Sequence, residues 1–368
     1  MIASVILETN VPEPFEDIDW AKLFCFAKKH DVATVIYPAV KNMDIPEDVL
    51  KLFKNHQNII MARTARQAIE ADRVLGEFEK NDIRYIRLKG IHIKDLYPAQ
   101  YMRGFTDVDI FVSEADRIKS MPIMYALGYD LEDSIQYHDE YRKDDFFIYE
   151  IHNPMFSESH NYKDIFNDTF SKSETTTDNK YSYTLKPEYF YLHLLFHLYG
   201  HFVYIGCGIR LFTDLLVFGK SFTDVDFGFI EATLKEYEMY DFYISVQKLM
   251  GFFFFDKKAN GNTLKIASYI FANDAIERSR KDLANVSFGY RVLYFIKGLF
   301  PPLESMKSKY PVLNKAPVLL PVCWLRRIFH SLFFNRKAIK QQIIENKTLN
   351  SKEFRDIKKA RKLATKNK

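Results

Sequence analysis

The stretch RYIRLKGIHIKDLYPAQYMRGFTDVDIFV, residues 84–112, decides how this chain is read. An apolar segment ends at Lys89-Gly90, a turn-rich segment follows, and Asp107 and Asp109 then enter a second apolar run. Strand alternation puts both aspartates on one face. Two carboxylates so close repel, by roughly 4 kcal/mol at about 4 Å in the effective dielectric near a protein surface. A divalent cation relieves that repulsion, and hard oxygen ligands suit Mg²⁺ held together with a polyphosphate. The pattern points toward phosphoryl-group chemistry. Asp-x-Asp also occurs in loops that bind nothing, and the chain supplies its own control: FTDVD at 105–109 recurs at 222–226. The second copy follows Gly219-Lys220 and precedes a helical pattern at 231–239. There Asp224 or Asp226 reads as a helix cap or turn residue.

Working outward, the upstream residues are helical in pattern. Trp20, Leu23, Phe24, Ala27 and Val32 form an apolar stripe over 18–40. A second helix is expected at 46–53 with Pro46 near its first position. A third is expected at 57–80, where Ile60, Thr64, Ala68, Ala71, Leu75 and Phe78 recur every three or four residues. Downstream, 83–88 and 107–112 read as strands. A short helix over 91–97 stops at Pro98, and the helix at 115–127 has Gly128 at its C-terminal cap. Strands around 135–141 and 146–152 form a hairpin through the charged segment 142–145. The expected fold class is therefore α+β: a helical lead-in over 1–80, then a small mixed-sheet domain over 81–156. The polar segment 157–186 reads as a loop or linker. Aromatic-rich helices follow over 187–325, at 188–200, 210–218, 229–248 and 264–280, and a basic tail with helical character occupies 326–368.

Composition narrows the class. A chain of 368 residues fits two domains or three small ones, and its 47% hydrophobic content, with 33 Phe and 23 Tyr, can bury sizeable cores. Cys25, Cys207 and Cys323 lie far apart without a Cys-x-x-Cys pair. They argue for a reducing compartment and against a structural zinc site. The N-terminus lacks the basic and apolar regions of a secretory signal, and no stretch approaches the roughly 18 apolar residues of a membrane span. The expected location is cytoplasmic. The formal charge of +4 conceals an asymmetry, because residues 326–368 hold fourteen Lys or Arg against three Asp or Glu. Such a tail can touch nucleic acid or an acidic membrane surface, or it can be a solvated helix.

A third acid lies in FFIYEIH, residues 146–152. Phe147, Tyr149 and Ile151 share one strand face; Ile148, Glu150 and His152 share the other. A glutamate among apolar residues is costly unless paired or coordinated. Beside the 107–112 strand, Glu150 completes a carboxylate cluster; on an edge strand it simply faces water. His152 is either a donor to a carboxylate or a packed core histidine.

These residues together resemble the uncharacterised bacterial nucleotidyltransferase family of the DNA polymerase beta-like superfamily. The resemblance runs from about Trp20 to Pro302. It rests on Trp20, His30, Leu88-Lys89-Gly90, Tyr97, Arg103, Asp107-x-Asp109, Gly128-Tyr129, His138, Glu150-x-His152, His197 and Asp214. The wider superfamily has a Gly-Ser pair before its acids, whereas Ile91 follows Gly90 here.

The resemblance implies transfer of a nucleotidyl group from a nucleoside triphosphate to a hydroxyl on a small molecule, glycan or protein, with release of pyrophosphate. It assigns Asp107, Asp109 and Glu150 to catalysis and to Mg²⁺, or Mn²⁺ in its place. Glu150 can also orient or deprotonate the acceptor. Gly90 can let backbone N–H groups approach phosphate, and Lys89 offers a charge if its side chain faces inward. Arg103 can bind phosphate or pair with Asp107. His193, His197 and His201 share a face if their helix continues past Gly200. Of these, His197 is expected to contact the acceptor or Asp214, in preference to a zinc array. Two other classes compete with transfer: a degenerate nucleotide-binding or regulatory module, and phosphate-backbone or membrane-surface binding through the basic tail.

Overall fold

Every second side chain of the strand bearing Asp107 and Asp109 is aliphatic, and that alternation makes a two-sided sheet. The structure, a computed structural model, describes residues 1–13, 18–134, 137–144, 147–157, 160–176, 179–272, 310, 312 and 316–324. The basic tail at 326–368 lies outside the described residues. The strands are β1 (Tyr85–Arg87), β2 (Asp107–Val112), β3 (Asp130–Ser134), β4 (His138–Arg142), β5 (Ile148–His152), β6 (Ser173–Thr175) and β7 (Ser182–Leu185). They form one mixed 7-stranded sheet in the order β3-β4-β5-β2-β1-β7-β6. β2 runs parallel to β5 and antiparallel to β1, while β1 runs parallel to β7. The architecture is α+β, as the alternating and helical periodicities imply.

The two faces bury different partners. Val108, Ile110 and Val112 of β2 join Tyr149 and Ile151 of β5 in one core. That core is roofed by Ala71, Val74, Leu75 and Phe78 of helix α4 (Glu47–Lys80) and by Met124 of α6 (Glu114–Ala126). Each fully buried aliphatic or aromatic side chain contributes about 1.5–3 kcal/mol. On the opposite face, Ile86, Phe111 and Leu185 enter a larger core. This core is built with α1 (Ile2–Leu7), α2 (Trp20–Lys29) and α3 (Ala33–Val40), and with the later helices α7 (Pro187–Gly200), α8 (Ile209–Ser221), α9 (Phe227–Glu236), α10 (Tyr240–Phe254) and α11 (Gly261–Ala272). α5 (Lys89–Ile93) connects β1 to the turns before β2. Asp107 and Asp109 share the parity of Phe111, so they face the helical half.

Several boundaries differ from the sequence pattern. The helix expected over 18–40 is two helices, separated where Asp31 adopts a left-handed backbone with φ 54, a conformation Asp tolerates better than most residues. Those expected at 46–53 and 57–80 are one 34-residue helix. Lys54, Asn55 and His56 between them include no Gly or Pro, and their propensity cost is only tenths of a kcal/mol each. The segment 157–186 is more than a loop or linker. Tyr162, Ile165 and Phe166 are buried, and β6 and β7 extend the sheet. Its polar run SKSETTTDNK supplies the edge strand β6, where a charged composition suits a strand facing water. The helix expected at 264–280 is described as Gly261–Ala272, and its remainder lies outside the described residues.

The second FTDVD is a cap. Asp226 begins α9, and its carboxylate accepts from the Phe229 backbone N–H at 2.9 Å. Asp226→Ala should lower stability by about 1 kcal/mol, measured by denaturant unfolding. Loss of divalent-metal binding in the same variant would contradict the cap assignment.

Candidate functional site

The parallel register of β2 and β5 sets Asp109 directly beside Glu150. Asp107 lies two residues earlier on the same face, and one carboxylate oxygen from each of the three acids lies within 4.8 Å of the others. Asp109 is buried, whereas Asp107 and Glu150 are partly open. Cations already crowd this cluster. Lys89 Nζ donates to Asp109 Oδ1 at 2.6 Å and lies 3.8 Å from Glu150 Oε2. His152 Nε2 lies 3.0 Å from the same Asp109 oxygen and 3.3 Å from Glu150 Oε2. Lys89 holds a left-handed backbone, φ 45. That conformation costs a non-glycine residue roughly 1–2 kcal/mol, and residues so held cluster at functional sites.

The electrostatics follow from burial and pairing. Burial alone would raise the Glu150 carboxyl, but the His152 hydrogen bond and the Lys89 charge outweigh it and hold the group down at about 2. Burial pulls the Lys89 amine down, and the charges of Asp109, Glu150 and Asp107 push it above its ordinary value. His152 is likewise raised, because contacts with Asp109 and Glu150 overcome its desolvation. A positively charged amine therefore lies against two of the three acids. A divalent ion fits this donor set for the same reason that Lys89 does.

Gly90 packs more tightly than a phosphate-turn reading requires. A Cβ there would lie 2.7 Å from Phe105 Cβ and 3.2 Å from Phe105 Cγ. The glycine is needed so that the chain entering β2 can cross α5. Arg103 is buried and binds Asp214 of α8 with two bonds, Nε to Oδ1 at 2.7 Å and Nη2 to Oδ2 at 2.9 Å. Its Nη1 donates to the Gly104 carbonyl at 2.7 Å, and Tyr97 Oη donates to Asp214 Oδ1 at 2.7 Å. Arg103 thus pairs with Asp214, neither with Asp107 nor in a position open to phosphate. Its donors are committed to holding α8 against the segment that leads into β2. Breaking a buried pair leaves an uncompensated charge, so Arg103→Met should cost roughly 3–5 kcal/mol in unfolding free energy. The double variant Arg103→Met, Asp214→Leu should recover much of that loss, and additivity of the two single losses would refute the coupling.

The histidine face lies beside the acids. α7 continues into a π-helical turn, His201–Ile205, so the chain stays helical past Gly200. The His197 and His201 rings are 4.4 Å apart between centroids. Burial depresses His193 to about 3 and His201 to about 4, and moves His197 well below its ordinary value; the Lys89 charge adds to each. Asp214 takes Arg103 and Tyr97 in place of the expected His197. Among the described residues, the candidate metal-holding groups do not include these three histidines.

Two residues without a role in the sequence reading adjoin the cluster. Arg210, at the start of α8, is depressed chiefly by burial and by Arg103, and the charge of Asp107 reaches it. His138 of β4 pairs in register with His152. No spacing motif marks Arg210. His138 belongs to the residues that carry the family resemblance, but its place opposite His152 follows only from pairing the two hairpin strands.

The chain belongs to the family described as uncharacterised nucleotidyltransferases, whose profile matches residues 16–254. No curated protein and no solved structure matches it. Membership supports nucleotidyl transfer as the general activity. Among the described residues no helix is long and apolar enough to cross a membrane.

Neutral buried histidines set an acid limit. A depressed value means that the unfolded chain binds protons more readily, so stability present above about pH 6.5 is lost as pH falls toward 3. Each such histidine adds a slope of about 1.4 kcal/mol per pH unit while only its unfolded form is charged. Unfolding measured from pH 7 to 4 should therefore be flatter by about one proton in His193→Phe. An unchanged slope would show that His193 is not held neutral.

Proposed function

We propose that this chain transfers a nucleotidyl group from a nucleoside triphosphate to a hydroxyl-bearing acceptor, with release of pyrophosphate, using Mg²⁺ or Mn²⁺ held by Asp107, Asp109 and Glu150. The observation that carries the reading is the approach of these three acids from two parallel strands to within 4.8 Å. A divalent ion bound there would neutralise charge on the transferring phosphate and lower the pKa of an attacking hydroxyl. Asp109 and Glu150 are the inner anchors, and the more open Asp107 faces the side from which nucleotide enters.

The depressed Glu150 favours a ligand over a proton acceptor. A general base works best with a pKa near the operating pH, and a carboxyl held at about 2 is far from it. Lys89 neutralises Asp109 and Glu150 before metal binds. With a divalent ion held by these oxygens, the Lys89 amine would be free to meet the triphosphate. Arg210 supplies a second positive charge near Asp107. The neutral imidazoles of α7 line the helical side and offer hydrogen bonds without adding charge.

The test is pyrophosphate release by the purified chain with each of the four nucleoside triphosphates, Mg²⁺ and a panel of hydroxyl acceptors. Asp107→Asn and Asp109→Asn should each reduce turnover roughly 1,000-fold or more, since several kcal/mol of charge stabilisation are at stake. Glu150→Gln should lose activity with its fold intact by circular dichroism, and chelation should abolish release in the wild type. Full activity in all three folded variants would refute the mechanism. Nucleotide binding without release would instead favour a degenerate binding module.

A further inference from the structure

The carboxylate cluster has a nitrogen-bearing neighbour. In the antiparallel β4–β5 pair, His138 lies opposite His152, two residues along from Glu150. The two imidazole centroids are 5.2 Å apart. A donor atom from each of His138, Glu150 and His152 lies within 4.8 Å of the other two. This second group shares only Glu150 with the acids already described.

Three further features suit an ion there. The 3.3 Å separation of His152 Nε2 from Glu150 Oε2 matches the edge of a tetrahedron with bonds of about 2.0–2.1 Å, which spans about 3.3 Å. Nδ1 of His138 is buried without a hydrogen-bond partner. His152 itself is only 4% exposed. A buried polar atom left unpaired costs about 1–3 kcal/mol. The sheet also fixes the backbone of all three donors, because β5 is paired on both sides, with β2 and with β4.

We propose that His138, Glu150 and His152 form a second divalent-cation position, adjoining the carboxylate site, that takes an imidazole-favouring ion of the Zn²⁺, Co²⁺ or Mn²⁺ class. Two imidazoles and one carboxylate prefer such ions, His152 releasing to solvent the proton it holds against Asp109 and Glu150, whereas the all-oxygen set of Asp107, Asp109 and Glu150 suits Mg²⁺. Glu150 is the shared member and can bridge the two positions. An ion there would hold Glu150 from the β4 side of its strand. The proposal deepens the reading above by adding a metal of different chemistry at the same centre, but the position does not depend on turnover for its existence.

Cobalt is the probe, because its visible spectrum reports nitrogen donors and low coordination number. The full chain, stripped by chelation, is titrated with Co²⁺ in saturating Mg²⁺, and bound metal is counted after equilibrium dialysis. The wild type should retain one Co²⁺ that Mg²⁺ does not displace, with visible bands more intense than those of aqueous Co²⁺. His138→Gln should weaken that binding roughly 100-fold or more. His138→Asp should restore part of the binding with an altered spectrum, and Asp107→Asn should keep the Co²⁺ site. Circular dichroism on each variant separates loss of a ligand from loss of fold; a misfolded Gln variant leaves the Asp variant's spectrum as the deciding measurement. Absence of Mg²⁺-resistant Co²⁺ in the wild type, or an unchanged affinity and spectrum in folded His138 variants, would overturn the proposal. Loss of pyrophosphate release in Asp107→Asn alongside such a result would leave the transferase reading standing alone. A His138-dependent Co²⁺ site in a chain that releases no pyrophosphate would leave the second site standing and the transferase reading refuted.

Discussion

Three like charges held on one face of two adjacent strands are the constraint on which the rest of this structure depends. Asp107, Asp109 and Glu150 cannot separate, because β2 and β5 are hydrogen-bonded in parallel register and their other faces are committed to the core. The chain must bring positive charge to them. It does so with Lys89, held in a left-handed backbone at the start of α5, and with His152 on the same strand as Glu150. The raised Lys89 and His152 and the depressed Glu150 are three expressions of one balance. In a low-dielectric setting that balance is worth more than any exposed ion pair.

A second buried pair carries the geometry across to the helices. Arg103 and Asp214 are 111 residues apart in sequence, yet both oxygens of the aspartate are engaged. Arg103 lies a few residues before Asp107, and Asp214 lies within α8, so the pair ties the approach to β2 to the larger core. Replacing it with apolar residues of like size need not weaken the fold, since desolvation offsets much of the Coulomb gain. Its consequence is register: a planar guanidinium accepts a carboxylate in few orientations, and the helical half is thereby held at a set distance from the acids.

Periodicity was enough for parts of this arrangement. The strand at 107–112 and the face assignments of β5 follow directly from alternation, and a cap or turn role for Asp224 or Asp226 follows from the helix after them, with Asp226 the residue that caps it. The triad needed more. Strand alternation places Asp107 with Asp109 and Glu150 with His152, but only the β2–β5 pairing brings the two sets together. Short elements were harder: β6 has three residues and β7 four, too few for a period of two to stand out in a polar segment. Long-range partners were not legible at all. Nothing near Arg103 names Asp214, and the tightness around Gly90 comes from Phe105, fifteen residues later. His138 was named by the family resemblance, but its position beside His152 comes from the register of a hairpin.

The histidines of α7 show how one charge distribution shapes its surroundings. A wall of cations opposite the acids would duplicate Lys89 and compete with any metal for the same oxygens. Burial removes that competition by keeping His193 and His201 neutral, and the Lys89 charge pushes in the same direction. His152 escapes this fate because it alone touches two carboxylates directly. Identical side chains around one cluster are thus driven to opposite protonation states, the α7 residues by desolvation and the β5 residue by its contacts. The positive charge is concentrated on Lys89 and His152, against Asp109 and Glu150, while the α7 imidazoles are left polar but uncharged.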